Sequence, residues 1–193
     1  DKMLTFLLNS PTHSCYNACV PGLGKTIQTI AALKMLPKPR TQSPIDLIIC
    51  PSVMKHTWRK ELQTWFPESS VTIINTSSDL KILSSLTSAP TTANIVIISY
   101  DLASRNIEKF KKLSIRTLVL DEAHYLKSYK AKRTKNILKV IWNNSTYRIA
   151  LSGTPFTRSV IDGYTLFSKM SPQHFPDFLS FATTYCYEKR TPW

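Results

Sequence analysis

Five short apolar runs punctuate the chain, at residues 47–50, 71–74, 95–98, 118–120 and 147–151. Each is rich in Ile, Val or Leu, lacks an alternating polar face and is bounded by polar or turn residues. Strands buried on both faces read this way. Between them lie segments with helical spacing, at residues 26–35, 58–65, 79–86, 104–110 and 133–141. Apolar strands alternating with helices constrain the chain to an α/β fold, with a central, mostly parallel sheet carrying helices on both faces. Residues 14–20 make a poor strand for the centre of such a sheet. Beyond Leu151 the pattern turns helical, at residues 161–170 and 178–187, as a helical C-terminal extension. Ligands of parallel α/β sheets bind at the carboxyl ends of the strands, so the residues just after each run deserve inspection.

The 193 residues suffice for one sizeable core. No apolar run approaches the roughly 18–20 residues of a membrane helix, so no membrane partner is expected. Residues 1–10 carry a short apolar stretch without the cleavage pattern of a signal peptide, so secretion is not expected. The chain begins without Met, and a piece missing upstream is expected. Lys and Arg number 25 against 12 acidic residues, a net charge of +13. That excess favours a polyanionic partner, nucleic acid foremost, against the plainer reading of a solubilising surface. Two basic stretches stand out: Arg105, Lys109, Lys111, Lys112 and Arg116, then Lys127, Lys130, Lys132, Arg133, Lys135 and Lys139. Each reads either as a phosphate-tracking surface or as the solvated face of a helix. Trp58, Trp65 and Trp142 read as core side chains. Cys15, Cys19, Cys50 and Cys186 form no CxxC pair, so a reducing compartment is expected rather than a disulfide framework. His13, Cys15 and Cys19 lack a nearby fourth ligand, and no structural zinc is expected.

Three short segments carry chemistry. Gly22, Leu23, Gly24, Lys25, Thr26 and Ile27 open the helical segment at 26–35. Glycines let a backbone curl its N–H groups towards phosphates, and the helix N-terminus adds positive potential. Lys25 would neutralise phosphate charge, and the Thr26 hydroxyl would ligate Mg²⁺. The alternative is a plain glycine turn entering a helix. Pro21 removes one backbone donor from such a cradle. Asp121 and Glu122 directly follow the run at 118–120, where the first acid can hold Mg²⁺ and the second can polarise a water. A helix cap is the alternative reading of Asp121. Ser152, Gly153, Thr154 and Pro155 follow the run at 147–151, either as a compact coupling loop or as a plain turn.

Taken in order, GLGKTIQ at 22–28, CPS at 50–52 with Trp58 and Glu61, SYD at 99–101, DEAH at 121–124 and LSGTP at 151–155 resemble the Swi/Snf family of superfamily 2 helicase-like ATPases. The resemblance implies a RecA-like P-loop lobe at residues 19–160, preceded by an atypical segment 1–18. It implies an extension at 161–193 leading to a second RecA-like lobe. It implies ATP and Mg²⁺ as cofactors, duplex or fork DNA as partner, and a DNA-dependent ATPase or translocase activity. Gly22, Leu23, Gly24, Lys25, Thr26 and Ile27 would hold the nucleotide. Thr26 and Asp121 would serve the metal, and Lys25, Asp121 and Glu122 catalysis. His124, Ser152, Gly153 and Thr154 would couple hydrolysis to movement, and Pro51, Ser52, Ser99 and Tyr100 would lie near the nucleic acid. Phe175, Phe178, Tyr185, Cys186 and residues 189–193 resemble the annealing-helicase branch, which acts in DNA repair and fork remodelling. The family places such proteins in the nucleus of a eukaryote, otherwise in the cytoplasm.

The chain departs from the family pattern at Cys19, Val20 and Pro21, which replace an acidic pair and Met. Residues 1–18 carry no glutamine-bearing adenine motif, and the second lobe with its arginine fingers is absent. Little or no turnover is therefore expected of this chain alone. A non-catalytic, degenerate helicase-like module and a lobe of a DEAH-type RNA helicase are the competing readings.

Overall fold

The computed structural model describes residues 2–37, 44–86, 94–154, 156 and 159–186. Six strands form: β1 (Ser14–Asn17), β2 (Ile45–Cys50), β3 (Ser70–Ile73), β4 (Asn94–Ser99), β5 (Ile115–Asp121) and β6 (Ser145–Leu151). They make one sheet in the order β1-β6-β5-β2-β4-β3, and every pairing is parallel. Strand β2 is buried along its whole length and β5 up to Leu120, the pattern expected where helices cover both faces. The polar segment after Thr12 does form a strand, β1, but at the sheet edge, paired to β6 alone. Its short, mixed sequence fits an edge position better than a central one. A cavity of about 1300 Å³ runs along that edge, from Phe6 and Phe175 to Cys19 and Gln28.

Successive residues of β2 feed opposite faces: Ile45, Leu47 and Ile49 one, Ile48 and Cys50 the other. On the second face lie α1 (Lys2–Asn9), α2 (Lys25–Met35) and α3 (Lys55–Trp65). They insert Leu7, Ile30, Leu33, Trp58 and Leu62, side chains spaced three or four apart within a helix. The first face receives α4 (Ile82–Leu86), α5 (Tyr100–Arg105) and α6 (Lys132–Asn136), then α7 (Tyr164–Met170) through Leu166. A last helix, α8 (Phe178–Tyr185), is held to α7 by an aromatic cluster of Tyr164, Phe167, Phe175, Phe178 and Phe181. Among the described residues no helix is long and apolar enough to cross a membrane.

Several helices differ from the sequence expectation in their bounds. The segment at 79–86 splits into a 3₁₀ turn, Asp79–Lys81, and α4. Asp79 folds back to accept the N–H groups of Asn75 and Thr76, which tightens the entry. The segment at 104–110 begins earlier, at Tyr100, because the Ser99 hydroxyl caps α5 through Leu102 N–H. A 3₁₀ turn, Ile107–Phe110, follows α5. The segment at 133–141 widens into a π turn, Ile137–Ile141, with Trp142 N–H reaching the Ile137 carbonyl at 3.0 Å. Ile137, Leu138, Ile141 and Trp142 are all buried there. Trp58 and Trp142 join the core, whereas Trp65 is 49% exposed, its indole N–H donating to Glu61 on its own helix.

One member of the basic stretches is corrected outright. Arg116 is neither a phosphate contact nor part of a solvated face: it is buried in β5 and paired with Asp46 of β2. Its guanidinium also donates to the carbonyls of Leu33 and Leu36, tying the end of α2 to the sheet. Arg105, Lys109, Lys111 and Lys112 remain exposed. Asp46→Ala would leave the Arg116 charge buried without its counterion. The expected loss is about 3–5 kcal/mol of unfolding free energy in urea titration. A variant that retains wild-type stability would show that the pair does not anchor α2.

Candidate functional site

Because all six strands run the same way, their carboxyl ends emerge on one rim, and the segments singled out in sequence meet there. After β1 the chain bends through Gly22 at φ 87° and Gly24 at φ 70°, left-handed geometry that glycine adopts without a Cβ clash. Helix α2 then starts at Lys25, so Gly22 to Thr26 form a glycine-bent loop feeding a helix N-terminus. The Lys25 ammonium donates to the carbonyls of Cys19 at 2.8 Å and Val20 at 3.3 Å. It thus caps its own loop. Leu23 and Ile27 project outward, both exposed.

Two residues outside Gly22 to Ile27 brace this loop. Asn17 Oδ1 accepts Cys19 N–H, and its amide donates to Gln28 Oε1 at 2.9 Å. The Gln28 amide donates in turn to the Leu23 carbonyl. Gln28 is legible in sequence as the residue one turn after Gly24, whereas nothing local marks Asn17. Pro21 packs across the rim: a Cβ on Gly153 would stand 2.9 Å from the Pro21 Cδ. The glycine-bent loop and the Ser152–Thr154 turn therefore touch.

Asp121 closes β5, and Glu122 follows at φ 50°, a left-handed conformation that non-glycine residues adopt rarely. The Asp121 carboxylate is held at both oxygens, with Oδ2 accepting the Trp58 indole N–H at 2.8 Å and Oδ1 the Glu122 N–H at 3.1 Å. Its backbone carbonyl accepts the Tyr100 hydroxyl at 2.8 Å. Burial pushes the Asp121 pKa above the usual carboxylate value, Trp58 pulls it back, Glu122 raises it and Lys25 lowers it. The turn carries Glu122 to His124, Nδ1 to Oε2 3.1 Å, and His124 to within 3.2 Å of the Ser152 hydroxyl. Ser152 is buried after β6 and also accepts the Thr154 N–H. Burial raises the neighbouring Tyr16 phenol to about 12 and the Cys50 thiol to about 12.

The structure thus gathers Lys25, Asp121, Glu122, His124, Ser152 and Gly153, with Thr26 in the first turn of α2. Pro51 and Ser52 follow β2 on the same rim, Ser52 exposed, and Ser99 caps α5 after β4. Tyr100, expected beside the nucleic-acid face, is 2% exposed and points its hydroxyl inward. Pro155, residue 187 and residues 189–193 lie outside the described residues. Chemically, an ammonium at a helix N-terminus shares the rim with a carboxylate pair and lies near enough to influence Asp121, an arrangement suited to a polyphosphate and its divalent cation.

Two outcomes test this local chemistry. Glu122→Gly removes the left-handed strain and is expected to raise stability by about 1 kcal/mol in thermal denaturation. An unchanged or lower melting temperature would show that the corner is not strained. A folded-state carboxyl pKa raised above 3.8 means folding favours the protonated acid, so its contribution to stability falls as pH rises from that value through the folded pKa. Asp121→Asn is therefore expected to melt above wild type at neutral pH. That gap should close below about pH 3.8, the ordinary value; a gap that persists in acid rules this origin out.

Comparison with known proteins returns a consistent set. Residues 4–190 match the model of the SNF2-related domain. The chain is 32% identical over 176 residues to the SWI/SNF-related matrix-associated actin-dependent regulator of chromatin subfamily A-like protein 1 of Xenopus tropicalis, covering 89% of this chain and 17% of that protein. It is 27% identical over 192 residues to the human DNA annealing helicase and endonuclease ZRANB3, covering 93% of this chain and 17% of that protein. The Sulfolobus solfataricus SWI2/SNF2 ATPase core, solved in complex with dsDNA, superposes with a TM-score of 0.77 at 26% identity, over 96% of this chain and 36% of that one. The chain thus spans about a sixth of the length of these two curated relatives.

Proposed function

This chain belongs to the SNF2-related domain family, and we propose that it is the ATP-binding lobe of a DNA-dependent ATPase and translocase. The observation that carries this reading is the convergence of Lys25, Asp121 and Glu122 on one rim of a parallel sheet. In it, residues 19–160 form the nucleotide lobe and residues 161–193 an extension towards a second lobe.

Bound ATP with Mg²⁺ would supply the phosphoanhydride and the cation that neutralises it. Lys25 would exchange the carbonyls of Cys19 and Val20 for phosphate oxygens, with the N-terminus of α2 behind it. Thr26 and Asp121 would serve the cation, Asp121 held by its two N–H donors. Glu122 would orient and polarise water, with His124 and Ser152 fixing its carboxylate. The contact between Pro21 and Gly153 would pass movement of the phosphate loop to the turn after β6. Pro51, Ser52 and Ser99 would line the nucleic-acid side, and the net charge of +13 supports a salt-sensitive duplex partner.

The likeness to the DNA annealing helicase ZRANB3 across 93% of the chain supports the annealing-helicase branch, and likeness to a SWI/SNF-related regulator of chromatin supports a nuclear location. A second reading, a non-catalytic module, draws support from Pro21, which offers no N–H to a phosphate, and from the self-capped Lys25.

Titration with a fluorescent ATP analogue and Mg²⁺ separates the two. Saturable binding that Lys25→Ala abolishes is expected. Binding that Lys25→Ala leaves unchanged, or none at all, would favour the non-catalytic module. ATP turnover by the chain alone, with or without duplex DNA, is expected to stay near background, and robust DNA-stimulated turnover would refute the need for a second lobe.

A further inference from the structure

Two buried side chains spend their single polar groups on one residue. Trp58, 1% exposed, gives its only hydrogen-bond donor to the Asp121 carboxylate, and Tyr100, 2% exposed, gives its hydroxyl to the Asp121 carbonyl. Neither is next to Asp121 in the chain, and each comes from a different helix.

Both helices begin at the rim. Helix α3 starts directly after the 3₁₀ turn Ser52–Met54 that leaves β2, and Trp58 lies one turn inside it. The start of α3 is fixed in turn by Lys55, a buried ammonium donating to the Ile74 carbonyl and the Asn75 side chain. Tyr100 is the first residue of α5, immediately after the Ser99 cap. Its ring stacks on Tyr125 at 5.3 Å and 13°, and Tyr125 also lies under the Arg133 guanidinium. Arg133 closes the loop by pairing with Asp101 at 2.9 Å. Rigid, close-packed contacts of this kind transmit displacement rather than absorb it.

We propose that Trp58 and Tyr100 are positioning residues for Asp121, through which the loops after β2 and β4 set the placement of its metal-binding carboxylate. The inference rests on the reading of Asp121 as a Mg²⁺ residue and deepens it by naming what aims the carboxylate. A carboxylate oxygen engaged by an indole N–H keeps one direction free for a cation. Without the indole the side chain turns towards other partners, and the preorganised geometry goes with it.

The experiment measures the Mg²⁺ concentration giving half-maximal binding of a fluorescent ATP analogue to the full chain, with and without a short DNA duplex. Trp58→Phe keeps a ring in the core but removes the N–H. It is expected to raise the Mg²⁺ midpoint about tenfold, the scale of one hydrogen bond to a charged group, and to leave binding in chelator unchanged. Tyr100→Phe removes one oxygen atom and is expected to raise the midpoint by a smaller factor. It also keeps the test open should Trp58→Phe fail to fold. Duplex is expected to shift the wild-type midpoint and to shift those of the variants less.

A variant that only melts lower, with an unmoved Mg²⁺ midpoint, overturns the positioning role. A wild-type midpoint that duplex does not move, or variants that respond to duplex as wild type does, overturns the link to the loops. Wild-type protein that binds no nucleotide at all defeats the functional reading itself, an outcome distinct from either of these.

Discussion

Parallel strands cannot be joined by a tight turn, so each must be followed by a crossover that returns the chain to the starting end of the sheet. In this protein five such crossovers join the six strands and send every strand end to one rim. The central strand β5 is flanked by β2 and β6, and β6 by β1. Asp121 therefore emerges with the loop after β2 on one side and those after β6 and β1 on the other. The buried pair of Arg116 with Asp46 sits at the opposite end of β5 and holds β5, β2 and the end of α2 together. One end of the sheet is fastened by a desolvated ion pair with its hydrogen bonds satisfied, which leaves the other free to carry exposed loops.

That rim holds its unfavourable features in a small space. Glu122 takes a left-handed backbone without being glycine, Asp121 is burdened by burial, and Lys25 is folded onto its own loop. The first two cost stability, and all three share one rim. Strain and desolvation gathered at one place belong to a site kept in readiness, because a structure under no such demand would relax them.

The loop before Lys25 departs most from its family, yet it is well braced. Asn17 and Gln28 fasten its two sides to each other and to Leu23, while Pro21 leans on Gly153. The loss of an amide donor at Pro21 thus comes with a mechanical contact between the glycine-bent loop and the turn after β6. Lys25 satisfies the carbonyls that an ammonium would otherwise leave for water, so the loop keeps its shape in the absence of any anion.

Much of this was readable from residue order. Apolar runs announced β2 to β6, because strands buried on both faces admit little but Ile, Val and Leu, and the glycines and acids after them marked the rim that carries the candidate site. Edge strand β1 was less legible, since one open side relaxes the demand for apolar residues. Helix bounds shifted where a distant or capping side chain intervened, as Ser99 did for α5. The charge of Arg116 read as surface, because nothing near it in sequence reveals Asp46, 70 positions away. For the same reason Trp58 read as core alone: its burial is local pattern, but the partner of its N–H lies 63 residues on. The chain's own order determined which chemical groups stand after which strands. Only tertiary packing decided which of them touch, because a buried donor takes whatever acceptor the fold brings within reach.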